Sequence, residues 1–293
     1  MIPTPPRPAS ARFRRVVVAF DGASNEDPAA VEAAAAFAAR LRTELFGLFI
    51  EDIDLARLAE HTGITTMGTL SAGARQMGAG LLKTALKAQL ARTRQAVERA
   101  AARQRVRSTF EIRRGRIIPE IQSTAAPADL VIIGWRGRPA ASIMAPGTPS
   151  AAVLTALCEG AARFVLVARR AAAPGGPLLV AYDGSAAAAS GLAAAAEIGG
   201  GDGTIEVAVL AARIEDVESQ RRAVGELLAR TGSGGTIFQV TRAGLDELLA
   251  IARTRRAGLL VVPTGLLDAQ GVRRIVERAP CSLLLVREAD AGG

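Results

Sequence analysis

The segment Asp129-Leu-Val-Ile-Ile-Gly134-Trp-Arg-Gly137 joins an apolar run to two glycines, and a Gly147-Thr148 pair follows after a spacer of nine residues. The run is short enough to be a buried strand of a parallel sheet. Glycines let the backbone approach an anion closely and adopt positive φ angles. Thr148 can cap the next helix, whose free N–H groups and dipole favour negative charge. The segment therefore predicts a phosphate-binding loop between a strand and a helix.

The sequence pattern of the chain occurs twice. Residues 14–23 and 177–185 each contain an apolar run followed by an aromatic residue, Asp and Gly, and each precedes an Ala-rich helical segment. The later predicted strands also correspond, 44–50 with 204–210, 129–134 with 257–263, and 162–168 with 281–287. A repeat of this length indicates duplicated domains rather than a solenoid. The Pro/Gly-rich stretch 171–177 is typical of a linker, so we expect one domain at 11–170 and another at 176–288.

Alternation of strands and helices in each copy predicts an open α/β fold of Rossmann-like type, with a parallel sheet and helices on both faces. The first copy also has an extra segment, roughly 53–90. We expect helices at its start, 53–60, and at its end, 81–91, with a Gly/Thr-rich loop between them. In open sheets a ligand binds beyond the carboxyl ends of the strands, where the strand order reverses. Asp21 ends the first strand and the glycine loop follows the fourth. Both would therefore face one crevice if those two strands are neighbours.

Charge is uneven along the chain, whose formal net charge is +8. Residues 1–173 carry 24 Lys and Arg against 14 Asp and Glu, whereas 174–293 carry 12 against 14. A basic half can attract phosphates, nucleic acid or an acidic partner. Arginines crowd the stretch 92–107, however, and such a run is typical of a solvated helix face.

Several classes of protein are not indicated by the composition. No apolar run reaches the roughly 18 residues of a membrane span, and 1–8 has no apolar signal-peptide core. Cys158 and Cys281 lie far apart in apolar contexts, so we expect buried packing residues, no disulfide framework and a reducing cytoplasm. The single histidine, His61, cannot form a His-based metal site or a usual catalytic triad. We therefore expect neither a metal site nor an identifiable catalytic residue.

Taken together, these residues resemble the universal stress protein family. The resemblance rests on the strand ending in Asp21, on the D-L-V-I-I-G strand at 129–134, and on the glycine spacing G-x2-G-x9-G-[S/T]. It covers nearly the whole chain as two tandem copies. It implies a five-stranded parallel sheet in each copy and dimers built through the last strand. In a tandem chain the two copies would form that pair internally, and a homodimer of the whole chain is left open.

Matching positions imply an adenine-nucleotide site in the first copy, formed by Asp21, Ile50, Gly134, Gly137, Gly147, Thr148 and Ser150. The carboxylate would contact the nucleoside and the isoleucine would contact the adenine. The first two glycines would admit the ribose and phosphates, and the last three residues would bind the phosphates. Backbone N–H groups and hydroxyls suit phosphate. The implied ligand is ATP, with AMP and ADP as alternatives, and a requirement for Mg²⁺ is not determined.

The sequence departs from the family pattern in both copies. Ala23 stands where the family usually has Ser or Thr, and Pro149 removes one N–H from the loop, although proline is tolerated at a first helical position. The second copy keeps Asp183-Gly-Ser185, which we interpret as a structural turn. Its segment 261–271 lacks the second glycine, the nine-residue spacer and the Gly-Thr pair. We expect the second copy to bind no ATP and to act as a structural partner.

Three functions are compatible with these observations. The first is an ATP-binding regulatory protein of the stress response, acting on an unidentified protein partner. The second is a slow ATP hydrolase, but there is no G-x4-G-K-[S/T] loop, and Asp21 is the only candidate base or metal ligand. The third is a scaffold that binds no nucleotide and docks an acidic protein or RNA through the basic helix 90–107. Nucleic acid is the weaker partner because no RNA-binding motif is present.

Overall fold

The computed structural model describes residues 13–21, 28–53, 72–126, 129–135, 162–169, 176–200, 203–211, 213–240 and 244–288. The strands of the first half are β1 (Arg15–Asp21), β2 (Glu44–Asp52), β3 (Ser108–Gly115), β4 (Leu130–Trp135) and β5 (Phe164–Arg169). Those of the second half are β6 (Leu178–Tyr182), β7 (Ile205–Val209), β8 (Gly235–Gln239), β9 (Leu259–Pro263) and β10 (Ser282–Val286).

Helices flank these strands in the same order in both halves. The helices described in the first half are α1 (Pro28–Leu41), α2 (Ala72–Gln104) and α3 (Ile117–Thr124). Those in the second half are α4 (Ala186–Gly199), α5 (Ile214–Thr231), α6 (Leu245–Thr254) and α7 (Ala269–Arg278), with a 3₁₀ turn at Thr264–Leu266.

All ten strands belong to one sheet, in the order β3-β2-β1-β4-β5-β10-β9-β6-β7-β8. Each half contributes five parallel strands in the same internal order, and among the described strands only the β5–β10 pair is antiparallel. The predicted open α/β fold with five strands in each copy is therefore confirmed. The last strands of the two halves meet within the chain, so the two sheets are continuous.

Side chains of both halves also cross this junction. Leu166 pairs with Leu284 in the antiparallel register, and both are fully buried. The guanidinium of Arg163 donates to the Ser190 hydroxyl on α4, and the Arg169 amide donates to Ser282 Oγ at 3.1 Å. Backbone pairing, apolar packing and polar contacts thus act at the same place.

Apolar cores cover both faces of the sheet. Val16 and Val18 of β1 belong to the cluster that includes residues of α1, α2, α4 and α5, whereas Val17 belongs to the cluster that includes residues of α3, α6 and α7. Strands buried on both faces are expected to be continuous apolar runs. This explains why the central strands could be located from the sequence.

One expectation about the extra segment was wrong. Helix α2 is 33 residues long and begins at Ala72, so 72–80 is helical rather than part of a loop. No proline lies between 72 and 104, and a glycine in a helix costs only about 1 kcal/mol relative to alanine. Packing of the later turns on α1 and β3 stabilises the helix as a whole. The expected helix over 53–60 lies outside the described residues beyond Ile53.

Candidate functional site

The pairing of β1 with β4 ends early at the carboxyl edge of the first half-sheet, where the sequence predicts a ligand crevice. Strand β1 pairs with β2 as far as Asp21↔Ile50, but its pairing with β4 stops at Val18↔Ile132, three residues before each strand ends. The strand order reverses at this point, because β2 lies on one side of β1 and β4 on the other. Ligands of open α/β sheets bind at such a switch point. The first and fourth strands are neighbours, which is the condition under which Asp21 and the glycine loop would face one crevice.

Three of the predicted site residues lie at this edge. Asp21 is the last residue of β1, Ile50 lies opposite it on β2, and Gly134 pairs with Ala168 between β4 and β5. The Ile50 side chain is fully buried in the apolar cluster that contains Ile121. These three positions are therefore on adjacent strands, with an apolar layer beneath the edge.

The remaining predicted site residues lie outside the described part of the chain. They are Gly137, Gly147, Thr148 and Ser150, and the same is true of Pro149, Ala23, Cys158, His61 and the Asp21 side chain. Their roles at the nucleotide remain predictions.

Asp129, the first residue of the glycine-containing motif, lies at the opposite end of β4. Its side chain is completely buried, and its Oδ2 accepts hydrogen bonds from Arg15 Nε at 2.8 Å and from the Ala126 amide at 2.9 Å. The Arg15 guanidinium also donates to the Thr124 carbonyl and lies 4.4 Å from the centre of the Phe46 ring. Asp129 therefore anchors the start of the strand and takes no part in the crevice.

The corresponding strands of the second half, β6 and β9, also stop pairing before they end. The turn that follows β6, however, forms hydrogen bonds among its own residues. Pairing of β6 with β9 stops at Val180↔Val261, two residues before each strand ends. Beyond β6, Asp183 Oδ1 accepts from the Ser185 amide at 3.0 Å and from its hydroxyl at 2.6 Å. Ser185 in turn caps α4. The interpretation of 183–185 as a structural turn agrees with these bonds.

Helix α5 covers this turn. Gln220 Nε2 donates to the Asp183 carbonyl at 3.3 Å, and a Cβ added at Gly184 would lie 3.1 Å from the same Nε2. Gly184 has φ of +85°, a conformation that favours glycine. Both the positive φ of Gly184 and the close approach of Gln220 therefore favour glycine in this turn.

A carboxylate caps the helix that follows the fourth strand of the second half. Helix α7 follows β9 and leads into β10, which is the point along the second copy that corresponds in sequence to Gly147-Thr148 of the first. Asp268 caps this helix, accepting from the Gly271 amide at 2.6 Å. The carboxylate uses the helix N-terminus and would repel a phosphate there. Sequence reasoning missed Asp268, although an Asp directly before a helical pattern is a recognisable N-cap.

Burial suppresses the ionisation of two other groups in the second half. It raises the pKa of Cys281 to about 11, and burial followed by the charge of Asp183 raises the pKa of the Tyr182 phenol. Cys281 is a free, buried cysteine, as predicted. Neither group is poised for proton transfer near neutral pH.

Within the described ranges, no cluster of three or more His, Cys, Asp and Glu side chains is arranged to hold a metal ion. None of the helices in those ranges combines the length and apolarity needed to cross a membrane.

Comparison with known proteins agrees with this fold. Over 95% of this chain and 98% of the other, the fold matches a universal stress protein from Archaeoglobus fulgidus DSM 4304, with 13% identity and a TM-score of 0.65. It also matches a protein of unknown function from Pseudomonas aeruginosa PAO1 over 96% and 94% of the two chains, with 16% identity and a TM-score of 0.56. At these identities the likeness concerns the fold alone.

A third solved structure is a universal stress protein in complex with cAMP. It is 21% identical and covers 38% of this chain and 95% of its own, with a TM-score of 0.34, which is too low to support an argument about the present chain. No curated protein matches the sequence.

The family model of the universal stress protein family matches residues 12–157. This range contains β1, β4 and every residue of the predicted nucleotide site, and the tandem repeat accounts for the other half of the sheet. The chain therefore belongs to the universal stress protein family, as a tandem member whose N-terminal half carries the family match.

Proposed function

We propose that this protein is a nucleotide-binding regulatory protein of the stress response that holds ATP in its first half. The observation that carries the proposal is the parting of β1 from β4 at the switch point, with Asp21 and Gly134 on its two sides. The residues that would bind the nucleotide are those of the predicted site. AMP and ADP are the alternative ligands, and the expected compartment is the cytoplasm.

The second half would serve as a structural partner. The Asp268 carboxylate caps the helix at which a phosphate would otherwise bind. The Asp183 side chain accepts hydrogen bonds within its own turn. We keep 11–170 and 176–288 as the limits of the two domains. One nucleotide per chain is the expected stoichiometry.

The continuous sheet offers a route by which nucleotide occupancy could act on the second half. Gly134 of β4 pairs with Ala168 of β5, and β5 pairs with β10 across the junction. A ligand shifts a conformational equilibrium only if it binds the two conformations with different affinities. If ATP regulates the second half by this route, its binding changes the packing of the β5–β10 pair, which would be seen as a change in amide hydrogen exchange there. The effector of this change would be a protein partner, or a second copy of the chain in a homodimer.

Isothermal titration of the full chain with ATP, ADP and AMP, with and without Mg²⁺, tests the binding. We expect one site per chain, lost in Gly137→Val. Gly265→Val is the matched control, because Gly265 is exposed at the corresponding loop of the second half and a Cβ there meets no atom within 4 Å. Absence of binding, or binding unaffected by Gly137→Val, would contradict the proposal. Hydrolysis of ATP that depends on Gly147 would instead support the enzyme alternative.

A further inference from the structure

A cavity lies at the opposite edge of the first half-sheet, where β1 and β2 begin. Its volume is about 720 Å³. The ends of α1 and α2 form part of its wall, and α4 of the second half contributes Glu197. The cavity is therefore a whole strand length away from the crevice that contains Asp21.

Basic side chains predominate among the charged residues of this cavity. Four arginines line it against two glutamates: Arg14, Arg42, Arg105 and Arg107, with Glu44 and Glu197. Glu44 accepts a hydrogen bond from the Thr109 hydroxyl on the neighbouring strand β3. The formal charge of the lining is positive, and it lies in the half of the chain that carries the basic excess.

Two of these arginines adopt a backbone conformation that is unfavourable for arginine. Arg42 follows α1 with φ of +53°, and Arg105 follows α2 with φ of +56°. At each helix end, the arginine amide donates to the carbonyl three residues earlier, and the next amide donates to the carbonyl five residues before it. This left-handed C-terminal motif normally takes glycine, because a Cβ is strained there.

The second half has glycine at both corresponding positions. Gly200 follows α4 with φ of +63°, and Gly232 follows α5 with φ of +66°. The same fold can thus end these helices without strain, yet the first half places arginine at both ends. Side chains that keep a strained backbone are a reason to look for a function, and here both strained residues line one cavity.

Most hydrogen-bond donors of these arginine side chains have no partner in the described part of the chain. Among the residues that the structure describes, Arg42, Arg105 and Arg107 form no ion pair and no side-chain hydrogen bond, and Arg14 lies 4.0 Å from Asp129 Oδ1. Thr43 also lines the cavity, and its buried Oγ1 has no hydrogen-bond partner in the same part of the chain. A helix C-terminus favours a nearby cation, which accounts for one arginine at each helix end. It does not explain why Arg14 and Arg107 line the same cavity.

We propose that this cavity binds a small anion carrying two or more phosphate groups. The planar guanidinium fork matches phosphate oxygens in a bidentate manner. The volume lies within the range of about 300 to 1,000 Å³ that is usual for small-molecule sites. Arginines from the start of β1, both helix ends and the approach to β3 would contact different phosphates of one ligand. The site is independent of the proposed nucleotide site at the opposite edge.

Inorganic tripolyphosphate is the probe, titrated by calorimetry into the full chain that carries Gly137→Val. This substitution should abolish phosphate binding at the proposed nucleotide site. Arg42→Gly and Arg105→Gly should each weaken binding by about tenfold or more, because each removes a charged hydrogen-bond donor. Both variants should melt no lower than the parent protein, because glycine adopts the same φ without strain. The expected signature is lost binding without lost stability.

Arg256→Gly is the matched control. Arg256 follows α6 in the second half with φ of +52° and does not line the cavity. It should leave tripolyphosphate binding unchanged. Arg107→Gln provides a second test that leaves both helix ends intact, and it should also weaken binding.

Three results would overturn the proposal: no binding of tripolyphosphate, unchanged affinity in the cavity variants, or equal affinity for orthophosphate and tripolyphosphate. ATP titration of Arg42→Gly separates the two proposals. Retained tripolyphosphate binding in a protein that binds no ATP would contradict only the nucleotide site. ATP binding without any binding of tripolyphosphate would contradict only the proposal for the cavity.

Discussion

Arg15 and Asp129 form a buried ion pair between the starts of β1 and β4, with 2.8 Å between Arg15 Nε and Asp129 Oδ2. The pair holds together the amino ends of two strands whose carboxyl ends part to form the crevice. The two strands are thus fixed at one end and separate at the other. This arrangement places the separation of the two strands at the edge where the ligand crevice is predicted.

Removal of the carboxylate should destabilise the protein strongly. Asp129→Ala leaves the largely buried Arg15 without its partner, and breaking a buried pair in this way costs about 3 to 5 kcal/mol of the free energy of unfolding. Urea denaturation measures the change. Arg273→Ala at the exposed Arg273–Glu277 pair should cost less than about 1 kcal/mol. Equal effects of the two substitutions would show that the buried pair has no special role.

The junction between the halves should depend on its central leucines. Leu166→Ala removes a fully buried side chain that lies opposite Leu284, and such a change costs about 2 to 5 kcal/mol. The loss should appear as a lower midpoint of urea unfolding. Leu266→Ala, at a residue that is 38% exposed in the second half, should change the midpoint little. A midpoint unaffected by Leu166→Ala would mean that the junction does not contribute to stability.

Asp268 should act on α7 as a cap and not through its charge alone. Asp268→Ala removes the acceptor of the Gly271 amide and should cost about 1 kcal/mol, whereas Asp268→Asn should cost much less because asparagine caps equally well. Thermal unfolding of the two variants distinguishes the roles. If alanine and asparagine reduce the melting temperature to the same extent, charge rather than capping is the cause.

The Cys281 thiol should resist modification and make the protein less stable at high pH. Its folded-state pKa is about 11 against an ordinary value of 9.0, so the folded state retains the thiol proton over a range in which the unfolded chain loses it. The resulting stabilisation is complete below pH 9 and is lost as pH rises towards 11, by about 1 to 2 kcal/mol.

A Cys158→Ser background leaves Cys281 as the single thiol for these measurements. We expect slow reaction with a thiol reagent at pH 8 in the folded protein and rapid reaction after denaturation. Cys281→Ala should remove part of the loss of stability between pH 9 and 11, while the raised pKa of Tyr182 contributes a loss of the same sign. Fast labelling of the folded protein would contradict the burial of this thiol.

Much of the architecture follows from local patterns in the sequence. The central strands could be predicted because strands buried on both faces are continuous apolar runs, and the repeat of aromatic-Asp-Gly at 20–22 and 182–184 identified the duplication. Edge strand β3 gives a weaker signal, because Ser108–Gly115 is partly exposed and three of its eight residues are charged. The helical state of 72–80 was missed because glycines there suggested a loop, whereas packing of the later turns stabilises the whole of α2.

The sequence alone determined the fold class, the tandem repeat and the edge of the sheet at which the predicted site lies. Each of these depends on hydrophobic periodicity or on short motifs of neighbouring residues. Only the tertiary structure decided the antiparallel register in which β5 meets β10, the place of Asp129 at the far end of its strand from Gly134, and the cavity that Arg42 and Arg105 both line. These relationships join residues that are distant in sequence. They depend on register, burial and backbone conformation, which the packed sheet and helices impose and which no local pattern specifies.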